Sequence, residues 1–311
     1  MNDDPDSSGF TYDEFAYFDE NRSEFSLPGA GRPEVERIWI DTSAGRESAL
    51  RWGTGPAKLV LVHGTAQNAH TWDTVMLALG EGTAAVVVDL PGHGRSAWRD
   101  DARYDPHANA EVLVEVLEHL VDSGVVEAPA VLVGMSLGGL TANRIAAMAP
   151  HLVSRLVVVD ITPGVTEHKA EAIHSFISGP QSFANFTEIM DRTVEYNPTR
   201  SRSSLRRGIL HNAHRMSDGT WEWNYHREPP TGADFASREE LWSDIAATVA
   251  PYLLVRGGDS PVTDEDDVEA LQGYRSDARV RTVEGAGHSI QGDRPVELAE
   301  ILRDEMSAAG A

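Results

Sequence analysis

Five residues, Gly134-Met135-Ser136-Leu137-Gly138, constrain this chain more than any others. They fit the pattern Gly-x-Ser-x-Gly, in which a serine sits on a sharp turn between a strand and a helix. The apolar run Ala130-Val131-Leu132-Val133 leads into the turn, and residues 140–148 follow with helical spacing and good helix formers. So tight a turn strains the backbone and passes two elements close together, which the flanking glycines permit. It lifts the serine oxygen above the sheet and brings the helix N-terminus beneath it. The plain alternative is a glycine-rich strand–helix turn with an incidental serine.

A serine hydroxyl is a poor nucleophile at neutral pH. It needs a base to take its proton, an acid to orient that base, and backbone donors aimed at the developing oxyanion. His288 is the candidate base. It lies in Gly285-Ala286-Gly287-His288-Ser289, a loop after a strand and before the last helix, where glycines let the ring reach a distant serine. The competing reading is a surface-loop histidine. One oxyanion donor is expected from the amide of Leu137, directly after the nucleophile, and the second from the loop after an earlier strand. That strand is 59–62 and its loop opens His63-Gly64-Thr65, so the second amide falls on Thr65, with Ala66 next in line. The His63 ring is expected to brace this loop by hydrogen bonding.

The rest of the chain alternates strand and helix. Residues 35–40 alternate apolar and polar, and 47–52 offer a partner strand. Residues 59–62, 84–88, 131–133 and 156–159 are apolar throughout, as parallel strands covered on both faces are. Residues 111–120 read as an amphipathic helix. The rhythm breaks after Pro163, and residues 166–248 carry helical stretches without strong buried strands. It resumes with strands at 252–255 and 279–283 and a closing helix over 295–306. Residues 1–33 form an acidic arm with aromatics (Phe10, Tyr12, Phe15, Tyr17, Phe18, Phe25) too numerous for a disordered segment. The arm is expected to pack on the main domain, the alternative being closure over the active site or a partner subunit.

Taken together, His63-Gly64-Thr65, the segment Asp89-Leu90-Pro91-Gly92-His93-Gly94-Arg95-Ser96, the Ser136 turn and Gly285-Ala286-Gly287-His288 resemble the α/β-hydrolase family, over nearly all of residues 35–309. The resemblance implies an α/β fold with an eight-stranded, mostly parallel sheet and a helical cap inserted after the sixth strand. The implied division is an arm over 1–33, a core over 34–165 and 249–311, and a cap over 166–248. Asp89 and His93 fall in what is a structural turn in the family. The resemblance also implies the order nucleophile, acid, histidine, with the acid usually after the seventh strand in a Gly-x-x-Asp-x-Val arrangement. Here that stretch is Gly257-Gly258-Asp259-Ser260-Pro261-Val262, which puts Ser260 in the acid's place and Asp259 one residue early. Asp160, ending the strand Val157-Val158-Val159, is the second candidate, and relatives with serine at the later position look as if they use it. A carboxylate at the end of an apolar strand is costly unless paired, and an imidazolium would pair it. Asp160 is therefore preferred to Asp259.

Relatives that open epoxides or cut carbon–halogen bonds carry aspartate at the turn, so Ser136 points to acyl transfer. The expected activity is cleavage of an ester-like small molecule (carboxylic ester, lactone or thioester) through an acyl-enzyme. The alternatives are a cofactor-free carbon–carbon hydrolase or biosynthetic tailoring enzyme with the same triad, and a non-catalytic ligand-binding homologue. The expected pocket combines Ala66 and Met135 beside the nucleophile with Phe183, Trp221 and Trp223 of the cap, though such rings also serve as a cap's own core. Arg202, Arg206 and Arg207 have helix-compatible spacing, suited to a substrate carboxylate or to surface acids. His211, His214 and His226 lack nearby carboxylates in a metal-binding pattern, so no metal is expected, and no cofactor.

Composition closes other routes. With 49 acidic and 26 basic side chains the formal charge is −23, which repels nucleic acid and anionic membranes. The absence of cysteine excludes disulfides, thiolate catalysis and cysteine-based metal sites. The acidic N-terminus lacks the apolar core of a signal peptide, and no apolar run is long enough to span a membrane. A cytoplasmic protein acting on a small molecule is the expectation, with its oligomeric state open.

Overall fold

The structure, a computed structural model, describes residues 4–7, 9–198, 200–227 and 236–310. The start of the arm, position 199 and residues 228–235 of the inserted block lie outside the described residues.

Eight strands form the main sheet: β1 (Val35–Thr42), β2 (Gly45–Trp52), β3 (Ala57–Val62), β4 (Ala85–Val88), β5 (Val126–Met135), β6 (Val153–Val159), β10 (Tyr252–Gly257) and β11 (Arg279–Val283). Their spatial order is β1-β2-β4-β3-β5-β6-β10-β11. The β1–β2 and β2–β4 pairs are antiparallel, and the pairs from β4 through β3, β5, β6 and β10 to β11 are parallel. This is the expected α/β architecture.

Strand periodicity sorts the apolar side chains onto two faces. Val60, Val62, Leu132, Val158 and Leu254 point to one face. There they meet α3 (Pro106–Asp122), α4 (Leu137–Met148), α8 (Arg238–Ala247) and α9 (Glu265–Tyr274). Leu59, Leu61, Val131, Val133, Val157 and Val255 point to the other. That face is covered by α2 (Asp73–Leu79) and α11 (Pro295–Ala309), together with Phe18 of the short arm helix α1 (Phe18–Phe25). Burying each such side chain is worth about 1.5–3 kcal/mol, which is why the central strands read as unbroken apolar runs.

Local signals start the helices. At α3 the Asp105 carboxylate accepts from the amides of His107 and Ala108, and Pro106 occupies the first turn. Ser237 with Glu240, and Asp264 with Asp267, form reciprocal capping boxes at α8 and α9.

Between β6 and β10 the chain leaves the sheet. It builds α5 (Glu171–Ile177), β7 (Ser182–Phe183), α6 (Phe186–Tyr196), α7 (Arg202–Asn212), β8 (Ala213–Arg215) and β9 (Trp221–Trp223). Two findings go beyond the sequence reading. The block is not helical throughout, because β7, β9 and β8 form a small antiparallel sheet. And α8, placed in the inserted block by its position, packs with the core through Trp242 and Ile245. A third cluster joins Phe186, Ile189, Leu210 and Trp221 of the insertion to Tyr17 of the arm and Ala66 of the β3 loop. The arm thus straps core to insertion. No helix among the described residues is long and apolar enough to cross a membrane.

Candidate active site

The C-terminal ends of β3, β5, β6, β10 and β11 converge beneath the insertion, where ligands bind in open parallel sheets. Between them lies a cavity of about 430 Å³.

Ser136 stands between β5 and α4 with φ 52° and ψ −120°, a positive-φ backbone that residues with a β-carbon rarely adopt. Its amide donates to Val159 O at 3.1 Å, which ties the turn to β6. A serine at a helix start normally caps the helix with its side chain, but Ser136 makes no such bond. Its hydroxyl is unspent, and it lines the cavity. The turn's glycines are sterically obligatory. A Cβ at Gly134 would lie 2.2 Å from Gly138 O, and one at Gly138 would lie 2.4 Å from His63 O. Leu137 opens α4. Its side chain packs on the core while its amide belongs to the orphan first turn of the helix.

Asp160, one residue past the end of β6, is also left-handed, with φ 52°. Its carboxylate is fully buried. It accepts from the Gly257 amide at 2.9 Å, the Ser260 hydroxyl at 2.5 Å and His288 Nδ1 at 2.8 Å. The costly buried charge is satisfied from three directions. With Nδ1 engaged, Nε2 has no partner among the described hydrogen bonds, and His288 lines the same cavity as Ser136. Asp259 is exposed, and its amide donates to Ala286 O at 2.9 Å. Of the two candidate acids, the structure brings Asp160 and not Asp259 to His288. Ser260, at the position where the resemblance places the acid, donates its hydroxyl to the Asp160 carboxylate.

Gly64, Thr65 and Ala66 line the cavity opposite His288. Gly64 must be glycine, since a Cβ there would lie 2.6 Å from Met135 Sδ and 3.0 Å from Ser136 Cβ. Ala66 is left-handed, with φ 58°, at a cost of about 1–2 kcal/mol. His63 is fully buried below. Its Nδ1 donates to Gly64 O at 2.8 Å and its Nε2 accepts from the Leu90 amide at 2.9 Å, so the ring braces the loop. Burial pushes its pKa down, consistent with a neutral ring.

Met135, Ala66 and Trp223 line the cavity. Phe183 and Trp221 do not. They pack in the insertion's own core, where Phe183 meets Trp223 edge-on and Trp221 meets Phe186. Phe183 ends the two-residue strand β7 and Trp221 opens the three-residue strand β9, and strands so short offer too little periodicity to assign them from sequence. The apolar wall is completed by Ile173, Phe176, Ile177, Tyr196 and Ile209, and the arm adds Asn21 and Phe25. The aromatic excess of the arm was the available signal for that last contribution.

The cavity's cations are spent on partners. Lys169 pairs with Asp264 and Asp267, Arg200 with Asp293, and Arg207 with Glu20 and Glu24 of the arm. Arg206 also faces Glu20, and Arg202 faces Asp191. This arginine group therefore anchors the arm and the surface and does not present a carboxylate receptor.

One further histidine cluster lines the cavity. His70 Nδ1 contacts Asp73 at 2.8 Å, and its Nε2 contacts Glu14 at 3.1 Å. Burial alone would lower the His70 pKa, but the two carboxylates outweigh it and raise it to about 9. Glu14 is held down at about 2, the His70 and Arg37 hydrogen bonds outweighing burial. His211 stacks on His70 with ring centroids 4.0 Å apart and planes 12° apart. These side chains bring metal-ligating atoms within 4.8 Å of one another. Yet an ion bound in the plane of one ring would lie well outside the plane of the other. The cluster as built is an ion-pair latch holding the arm.

The chain was compared with known proteins. A model of the alpha/beta hydrolase family matches residues 59–301. Esterase Rv0045c of Mycobacterium tuberculosis is 45% identical over 298 residues, spanning 94% of this chain and 95% of the relative. A crystal structure of that esterase superposes with a TM-score of 0.81 at 42% identity, covering 96% of this chain and 99% of the other. The sn-1-specific diacylglycerol lipase ABHD11 of Xenopus laevis is 28% identical over 265 residues, spanning 81% of this chain and 80% of the relative.

Proposed function

The chain belongs to the alpha/beta hydrolase family, and on that premise we propose that it is a carboxylic ester hydrolase acting on a small molecule through an acyl-enzyme. Ser136 attacks the ester carbonyl while His288 takes its proton. Asp160 fixes the imidazole with Nδ1–H toward itself and stabilises the cation that forms. The amides of Thr65 and Leu137 receive the oxyanion. His288 then returns the proton to the leaving alcohol, and a water activated by the same ring releases the acid. The insertion over residues 166–227 serves as the cap, and Ala66, Met135 and Trp223 shape the pocket. The relative named an esterase, matched along nearly its whole length, supports the ester as substrate.

The observation that carries this reading is the fully buried Asp160 carboxylate on His288 Nδ1, opening onto the cavity that also holds the unspent Ser136 hydroxyl. It is tested with a fluorophosphonate probe and p-nitrophenyl butyrate. Wild type should be labelled and should turn over the ester, and Ser136→Ala should do neither. Labelling that survives the substitution defeats the assignment.

A further inference from the structure

The strained loop that carries Thr65 is held from above by the insertion. Ala66 O accepts from Asn212 Nδ2 at 2.6 Å, and Asn212 is the last residue of α7. The side chain of Asn212 is itself oriented: its Oδ1 accepts from Asn68 Nδ2 at 3.1 Å. Asn68 Nδ2 also reaches the carbonyl of His211 at 3.1 Å, while Asn68 Oδ1 accepts from the His70 amide at 2.9 Å. Asn68, Ala66 and Asn212 are all buried. The backbone carbonyl that follows the left-handed residue is therefore pinned by a cap side chain whose amide cannot flip without breaking two bonds.

Nothing else among the described hydrogen bonds reaches Ala66 O. Gln67 Oε1 accepts from the Gly64 amide at 3.2 Å, and the Gln67 amide donates to Gly64 O at 3.3 Å, the carbonyl that His63 braces from below. The loop so closes on itself, and the carbonyl side of the 66–67 peptide is left to Asn212. The arm in turn grips α7, with Tyr12 bonded to His211 at 2.8 Å and Glu24 paired with Arg207.

We propose that Asn212 is a positioning residue for the oxyanion loop, so that the seating of the insertion on the core sets the aim of the Thr65 amide. The inference rests on the reading of Thr65 as an oxyanion donor. Asn212 acts through the loop and takes no part in bond making. Its loss should lower the stabilisation of the tetrahedral intermediate more than the binding of ground-state ester.

The test uses the full chain with p-nitrophenyl butyrate and with phenylboronic acid, whose serine adduct places an oxygen in the oxyanion position. Asn212→Ala should lower kcat about tenfold, less than the ~10²–10³-fold lost when an oxyanion donor itself is removed. KM should stay near wild type, and boronate affinity should weaken in step with kcat. Asn212→Asp preserves the shape and the contact with Asn68, but its ionised form cannot donate to Ala66 O. Its kcat relative to wild type should rise as pH falls and the protonated acid regains a donor. That second variant decides the matter if the alanine variant does not fold. Unchanged kcat and boronate affinity in folded Asn212→Ala, or a change in KM alone, would overturn the proposal, as would an Asn212→Asp ratio that ignores pH. Ester turnover that survives Ser136→Ala would overturn the parent reading instead.

Discussion

Two histidine–aspartate pairs look onto the same cavity, and in each Nδ1 lies 2.8 Å from a buried carboxylate. By that distance alone His70–Asp73 and His288–Asp160 are interchangeable. They differ at the other nitrogen. His70 Nε2 meets Glu14 at 3.1 Å, with Arg37 at 3.3 Å, so the ring is closed into an ion-pair network that holds the arm. His288 Nε2 has no partner among the described hydrogen bonds, and its ring lines the cavity that Ser136 also lines. The lesson is that a carboxylate orients an imidazole, but only an unspent second nitrogen leaves it able to take a proton from a nucleophile, the role proposed for His288. Burial, proximity to the cavity and a close acid do not by themselves separate the two roles.

Substituting the acid in each pair should break the resemblance outright. Asp160→Asn should cut kcat by ~10⁴-fold, because the amide no longer holds the productive tautomer. Its melting temperature should fall as well, since a fully buried carboxylate with three donors is changed, but the kinetic loss should persist in protein shown to be folded. Asp73→Asn should leave kcat intact while stability falls by about 1–3 kcal/mol, the cost of a lost buried charged hydrogen bond with Glu14 still holding the His70 cation. Asp259→Asn should change neither, since that side chain is exposed. Steady-state kinetics beside thermal melts on these three variants decide the matter. Equal kinetic losses in Asp160→Asn and Asp73→Asn would erase the distinction drawn here.

Sequence pointed to the His288–Asp160 half of this comparison and missed the His70–Asp73 half. The Ser136 turn, the β3 loop and the His288 loop are legible because each is a backbone device. Glycine where a Cβ would collide with backbone leaves a local trace. Asp160 was legible in part, as a carboxylate ending an apolar strand, and its assignment needed the register that lays β6 between β5 and β10. The His70 network left no trace, because Glu14, His70 and His211 come from three distant segments whose meeting depends on how arm and insertion dock. Phe183 and Trp221 failed for the same reason. Aromatic content says that a residue will be buried, but not whether against a neighbour or against a ligand.

The cations lining the cavity extend the contrast, since Lys169, Arg200 and Arg207 are spent on carboxylates as His70 is. A substrate carboxylate would be buried there without a free counter-charge. The p-nitrophenyl monoester of glutaric acid should therefore show kcat/KM about 10²-fold below the neutral p-nitrophenyl valerate, given the several kcal/mol of desolvation an unpaired carboxylate meets. Comparable values would mean that one of these ion pairs opens for substrate.

The smallest effect sharpens the comparison from the structural side. His70 has an ordinary pKa of 6.5 and is raised to about 9 in the fold, so its cation binds a proton more tightly folded than unfolded. The stability this supplies is complete below pH 6.5 and is lost as pH rises through about 9. Glu14 works in the opposite direction. Its pKa falls from 4.5 to about 2, so its contribution is present above pH 4.5 and is lost as pH drops toward about 2. The latch is therefore strongest between pH 4.5 and 6.5. Because Asn21 and Phe25 of the arm line the cavity, its loosening should first be seen at that wall. Melting curves should lose on the order of 2–4 °C for each kcal/mol released on the alkaline side. In Glu14→Gln only Asp73 still holds the His70 cation, so the decline should begin nearer neutral pH. An alkaline decline identical in wild type and Glu14→Gln would show that the contact between Glu14 and His70 does nothing that depends on its charge.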